Sequence, residues 1–220
     1  MPLAASSLTT DGGNLPLRME FQTVIRRRRM VRRFVDKPVE PDALDRILDN
    51  ATRAPSAGFS QGWAFVVLEG DDRRRFWEHV RPDAAFEPSP GSLHAAGAIV
   101  LPLAHKQAYL DRYAMPDKAG FGLDVAEHWP VPYWQIDVAF ACQSMLLTAV
   151  DLGLGALFFG IFTGERELLA ALAVPDGYRP IGALAIGHPL PGERSRPSLK
   201  TGRRAAEQTV HRGGWQGGSR

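Results

Sequence analysis

Cysteine is nearly missing from this chain. Cys142 stands alone among 220 residues, which excludes an intramolecular disulfide and fits a reducing compartment. It follows Ala139, Phe140 and Ala141, so a small buried apolar side chain is expected there rather than a reactive thiol. No apolar run is long and unbroken enough to span a membrane. The longest apolar-rich stretch, residues 136–162, is interrupted by Asp137, Gln143, Asp151, Gly153 and Gly155, and it reads as a buried helix followed by a strand. The N-terminus shows no charged segment leading into an apolar one, so no secretory signal is expected and a cytoplasmic location is. The six histidines have no pair at ligand spacing, and one thiol cannot complete a thiolate set, so no metal site is expected. No Gly-x-Gly-x-x-Gly follows a strand, which argues against a Rossmann nicotinamide domain. Net charge is also small: at +2 the molecule as a whole has no electrostatic pull on nucleic acid or membrane.

What is present suits one sizeable domain. A hydrophobic fraction of 45% is ordinary for a chain that buries a real core. Residues 1–18 read as a loose arm, 19–215 as a single domain and 216–220 as a tail. Helical periodicity is expected over residues 20–29, from Pro41 onward, over 71–80, 133–152 and 165–173. Pro41 suits the first position of its helix, and Leu44, Ile47, Leu48 and Ala51 give that helix an apolar stripe. Strands are expected at 64–68, 98–104, 154–159 and 181–187. Helices and strands therefore alternate. Residues 82–91 and 115–132 read as Pro/Gly-rich loops, the second long enough to suggest a lid carrying Phe121, Trp129, Tyr133 and Trp134. The basic tail from 189 has too few apolar anchors for its own core, and is either disordered or wrapped around a partner subunit.

Two segments carry chemistry. Residues 26–33 place six arginines in eight positions, interrupted by Met30 and Val31 and followed by Phe34 and Val35. Such a run is commonly a solvated face or a nucleic-acid patch. Its apolar interruptions imply that part of it enters the fold, where a guanidinium needs an anionic partner. The planar fork of arginine matches a pair of phosphate oxygens, so a small phosphorylated cofactor fits. Residues 54–65 leave a helix, turn through small residues and enter a strand. Ser56, Gln61 and exposed backbone amides there would suit the rim of a planar heterocycle, although a plain helix-to-strand loop would read the same way.

In order along the chain, these motifs resemble the FMN-dependent nitroreductase family. Arg28-Arg29-Met30-Val31-Arg32-Arg33-Phe34 is similar to the family's Arg-Arg-Ser-x-Arg-x-Phe, and Lys37-Pro38-Val39 to the extended step after it. The segment from Ala54-Pro55-Ser56 to Gln61-Gly62-Trp63-Ala64-Phe65 resembles Ala-Pro-Ser-x-x-Asn-x-Gln-Pro-Trp-x-Phe. Gly153-Leu154-Gly155 opens a strand like the one whose end meets the flavin, and Arg203-Arg204 resembles a basic pair near the family's C-terminus. The resemblance covers most of residues 20–215. It implies an α+β fold with a central mixed, mainly antiparallel sheet flanked by helices, and an intertwined homodimer with FMN at the interface. It further implies that Arg28, Arg29, Arg32 and the Met30 backbone hold the phosphate and polar ring edge. Pro55, Ser56, Ala57 and Gln61 would line the flavin from the neighbouring subunit. Phe159 and Gly160 would present backbone to the hydride-accepting nitrogen, and Arg203 or Arg204 would approach the phosphate. Met30, Phe59 and Gly62 depart from the family's Ser, Asn and Pro.

The activity so implied is ping-pong transfer from NAD(P)H to a small nitroaromatic- or quinone-like acceptor, with no side chain assigned as general acid or base. Alternatives are a deazaflavin-coupled reductase, a non-catalytic flavin-binding protein and a nucleic-acid binder. A flavin-cleaving 5,6-dimethylbenzimidazole-synthase-like enzyme shares the Gly58-Phe59 form of the loop, but Met30 stands where those enzymes carry an Asp.

Overall fold

The computed structural model describes residues 19–80, 91–192 and 202–215. The expected arm at 1–18, most of the 82–91 loop and the tail at 216–220 lie outside the described residues. Two units are distinguished, residues 1–190 and 191–220.

In the larger unit Glu20 caps α1 (Phe21–Arg27), its carboxylate accepting from the Thr23 amide at 3.0 Å. Pro41 opens α2 (Pro41–Thr52) as its missing amide allows. β1 (Trp63–Glu69), α3 (Asp72–His79) and β2 (Ala98–His105) follow. Then come α4 (Lys106–Ala114), α5 (Tyr133–Asp151), β3 (Gly155–Phe159), α6 (Glu165–Ala171), β4 (Tyr178–Pro180) and β5 (Ala183–Gly187). All helices and strands expected from the sequence are present, most of them trimmed by one to three residues. Two elements are additional. β2 runs straight into α4, with His105 ending the strand and capping the helix, and β4 pairs three residues against the end of β2.

The sheet order is β1-β2-β5-β3, and every described strand pair is antiparallel. The parallel component is a single bridge outside the strands, between Met30 and Ala156. Alternate residues of the central strand β2 serve two cores. Ala98, Val100 and Ala104 face α2 and α5 along with Leu184, Ile186 and Met145. Ile99, Leu101 and Leu103 face the opposite layer with Phe76 of α3 and Leu168 of α6. Burial on both faces explains why β2 reads as a continuous apolar run rather than an alternating one. Cys142 lies on the inner face of α5 at 4% exposure, and burial pushes its thiol up to about 12, which makes it the inert side chain expected.

Residues 115–132 are less open than expected of a lid. Short helical turns form at Ala119–Phe121 and Ala126–His128, and buried Trp129 donates its indole N–H to the Leu123 carbonyl at 2.7 Å. Trp129 packs against Tyr109, Tyr113, Tyr133 and Trp134, and Phe121 joins the cluster through an edge contact with Tyr113 while staying largely exposed.

Leu184 of β5 is fully buried. Leu184→Ala is expected to lower unfolding free energy by about 2–5 kcal/mol in denaturant titration, with little change in slope.

Candidate functional site

The arginine run is set by the apolar residues within it. α1 ends where the Arg28 amide bonds back to the Val24 carbonyl at 2.9 Å. The chain then extends along the outer edge of β3. The Val31 amide donates to the Ala156 carbonyl at 3.0 Å, and Met30 forms the parallel bridge to the same residue. Phe34 is fully buried, and the backbone of residues 33–35 is bonded to Gly91, His188 and Leu190. Met30 packs against both cores, which accounts for an apolar residue at this position. With Met30, Val31 and Phe34 turned inward, Arg28 and Arg32 are half-buried and Arg29 and Arg33 exposed. Arg32 donates to the Met30 carbonyl at 3.2 Å, and Arg29 lines an open cleft of about 290 Å³ together with Arg27, Val31 and Leu154.

Between α2 and β1 the chain makes a tight, strained turn. Gly58, Phe59 and Gln61 have φ of +61°, +56° and +49°. The two non-glycine residues cost about 1–3 kcal/mol each in that region, so neighbouring groups must hold them. Ser56 Oγ accepts from the Gln61 amide at 2.8 Å, and Asp137 Oδ2 from the Ala57 amide at 2.8 Å. Arg112 of α4 donates from Nε to the Gly58 carbonyl at 2.9 Å while its other nitrogens grip Asp117 at 2.8 and 2.7 Å. Tyr109, also on α4, is fully buried and donates its hydroxyl to Asp137 Oδ2 at 2.8 Å. Burial and then the Asp137 carboxylate raise the Tyr109 phenol well above its ordinary value, so it is a standing donor. Asp137 itself is 2% exposed at the start of α5.

Gly62 is explained by the same packing. A Cβ there would lie 2.5 Å from the Tyr109 ring and 2.8 Å from the His105 carbonyl. The proline usual in the resembled motif would meet the same obstruction. Nothing in the chain's own contacts explains Phe59, which is 74% exposed.

At the end of β3, Phe159 lies parallel to Trp77 at 6.1 Å and edge-on to Phe76 at 5.9 Å. Its side chain therefore serves the core. Gly160 follows, where an added Cβ would lie 2.7 Å from the ring of the exposed Phe162. Arg203 and Arg204 belong to the smaller unit, where Arg204 donates to the Gln208 carbonyl at 3.2 Å beside a short turn at Ala206–Gln208.

The chain thus brings Arg28–Arg32 and Phe159–Gly160 to one edge strand, at its two ends. It does not bring Pro55–Gln61 to them. β1 and β3 are opposite edges of the order β1-β2-β5-β3, three strand spacings or about 14 Å apart. Trp63 is level with Ala104, whereas Ala156, where the arginine run docks, is level with Ala98 at the other end of β2. The support residues Tyr109, Arg112 and Asp137 were missed by reasoning from sequence, where Asp137 registers only as an interruption of an apolar helix. Among the described residues no cluster of His, Cys, Asp or Glu has the arrangement of a metal site, and no helix is long and apolar enough to cross a membrane.

Gly62→Ala is expected to destabilise the fold by about 1–3 kcal/mol through overpacking against Tyr109 and the His105 backbone. Paired with Tyr109→Leu, which removes the ring, the cost should fall, and a double-mutant cycle in urea reads the difference.

Similarity to known proteins agrees with this geometry. The nitroreductase family profile matches residues 25–188. A Methanothermobacter thermautotrophicus protein, provisionally named an NADH dehydrogenase/NAD(P)H nitroreductase, is 29% identical over 80% of this chain and 82% of its own. A Bacillus subtilis protein named FMN reductase [NAD(P)H] is 25% identical over 78% of this chain and 66% of its own. Among solved structures, a Desulfovibrio desulfuricans protein described as a nitroreductase in complex with FMN superposes with a TM-score of 0.62 at 27% identity, covering 89% of this chain and 98% of that one. With the arginine run docked on β3 and the profile spanning the sheet and its flanking helices, this chain belongs to the nitroreductase family.

Proposed function

We propose that this chain is an FMN-dependent oxidoreductase that draws reducing equivalents from NAD(P)H. It passes them to a small organic acceptor, nitroaromatic- or quinone-like, by a ping-pong mechanism at the interface of a homodimer. The observation that carries the proposal is the docking of Met30 and Val31 on Ala156, which concentrates Arg28, Arg29 and Arg32 beside one edge strand. The FMN named for the Desulfovibrio structure and the reductase names of the relatives support it.

The donor set fits that cofactor. Three guanidinium groups within five residues offer forked donors to a phosphate, and their positive charge favours an anionic reduced ring. The α2–β1 turn fits as well, because backbone held in the left-handed region is a form of strain that concentrates at ligand sites. When bound, the flavin accepts hydride and returns reducing equivalents, so the protein's part is to bind, orient and shield. Arg28 and Arg32 hold the phosphate end. Phe159 and Gly160 offer backbone at the far end of the strand, four residue steps or about 13 Å from Ala156. Ser56, Ala57 and Gln61, with Pro55, line the ring from the partner copy.

The dimer follows from the same reading. Within one chain the turn and the arginine run stand at opposite edges and opposite ends of the sheet, so two copies complete what one cannot. Phe140 on α5 and Phe21 and Ile25 on α1 leave apolar surface for such a contact. A single functional domain over 19–215 and a cytoplasmic setting belong to this proposal.

The test is retention of flavin after saturation with FMN and desalting, then anaerobic addition of NADH or NADPH. The wild type is expected to keep the yellow absorbance and to bleach. Arg28→Ala combined with Arg32→Ala should raise the FMN dissociation constant on the order of 10- to 100-fold, the worth of charge-assisted hydrogen bonds. A colourless wild type would overturn the proposal, and a yellow protein that no donor bleaches would leave only a flavin-binding role.

A further inference from the structure

The geometry points to Asp137 and Tyr109 as positioning residues: together they hold the α2–β1 turn in its strained form and so set where the ring-lining groups Ser56, Ala57 and Gln61 stand. This inference rests on the proposed flavin site and names the machinery behind it.

Three features support it. First, the carboxylate is shared. One oxygen, Asp137 Oδ2, receives both the Ala57 amide and the Tyr109 hydroxyl at 2.8 Å, and the Asp137 and Tyr109 side chains are both buried. A buried carboxylate without donors is very costly, so the Ala57 amide is drawn to one place with the strength of a charge-assisted bond. Second, the turn is tied from other sides as well. Arg112 holds the Gly58 carbonyl, Ser56 Oγ closes on the Gln61 amide, and the Gly62 carbonyl accepts from the His105 amide at 2.8 Å. Third, the backbone it holds is not one that Phe59 and Gln61 would adopt unaided. The fixings come from α5, α4 and the end of β2. These elements are built into the core, so the turn inherits their rigidity. Neither Asp137 nor Tyr109 is exposed enough to touch a ligand, and both act through the backbone they hold.

The test uses Tyr109→Phe, Asp137→Asn and Asp137→Ala, the last two distinguished because Asn keeps an oxygen for the Ala57 amide. In FMN-loaded protein, Tyr109→Phe and Asp137→Asn are expected to raise the FMN dissociation constant about 3- to 30-fold, less than the full worth of a hydrogen bond to a charged group because the effect reaches the flavin through the turn. They should also alter the visible circular dichroism of the bound flavin. Asp137→Ala should do worse than Asp137→Asn, and the Asp137→Asn, Tyr109→Phe pair should be less than additive because both act on one oxygen. In apo protein, amide hydrogen exchange at residues 57–61 should accelerate in Tyr109→Phe while the amides of β2 and β5 stay protected. Loss of thermal stability with the flavin dissociation constant, dichroism and turn exchange all unchanged would overturn the inference and leave a purely structural role. The exchange readout needs no flavin, so a wild type that fails to bind FMN would sink the proposed function while this arm still decides whether Asp137 and Tyr109 hold the turn.

Discussion

A carboxylate sealed into the N-terminal half of an apolar helix constrains everything around it. Asp137 is the one charged side chain among the buried described residues, and it has to be satisfied where it stands. α4 is therefore brought close enough for Tyr109 to reach it, and the α2–β1 turn is drawn in through the Ala57 amide. That approach leaves no room beside Tyr109 for a side chain at position 62, which makes Gly62 a consequence of the buried charge. Apolar packing explains how α5 lies on the sheet. Satisfying Asp137 explains what gathers at its N-terminal end.

The other half of the proposed site is organised on a different principle. No buried charge directs residues 28–34. Instead Met30, Val31 and Phe34 bury themselves against β3 and the segment at 188–190, and the arginines between them are left beside the edge strand. One half is thus placed by polar satisfaction and the other by hydrophobic anchoring, at opposite edges of one sheet. In the proposed dimer, fixing each half rigidly within its own chain leaves association to bring the two together, so binding spends little on ordering loops.

Much of the framework was legible because its signals are local. Pro41 at a helix start, the stripe of Leu44, Ile47 and Ala51, and the apolar run of β2 each announce an element without reference to the rest. α4 was not legible, since β2 enters it without a spacer and Tyr109 is its one fully buried residue, so the sequence shows neither a break nor a stripe. β4 was hidden by its three-residue length and by Pro180. At the site, the two motifs were legible as strings, and the apolar interruptions of the arginine run correctly indicated that it enters the fold. Their support was not, because Asp137, Tyr109 and Ala57 lie 28 and 80 residues apart along the chain and meet only in three dimensions. The departures at Met30 and Gly62 from the resembled motifs are accounted for by packing.

The central claim is that one chain holds two half-sites that meet only between copies, and complementation tests it most directly. Arg28→Ala/Arg32→Ala and Asp137→Ala proteins, each weakened for FMN as a homodimer, would be co-expressed with different tags and the mixed dimer isolated. In the mixed dimer one site receives the intact arginines of one copy and the intact turn of the other, while the second site carries both lesions. The account predicts near-wild-type flavin affinity at one site per mixed dimer. A mixed dimer with no tight site would contradict it and place both halves of the flavin site within a single chain.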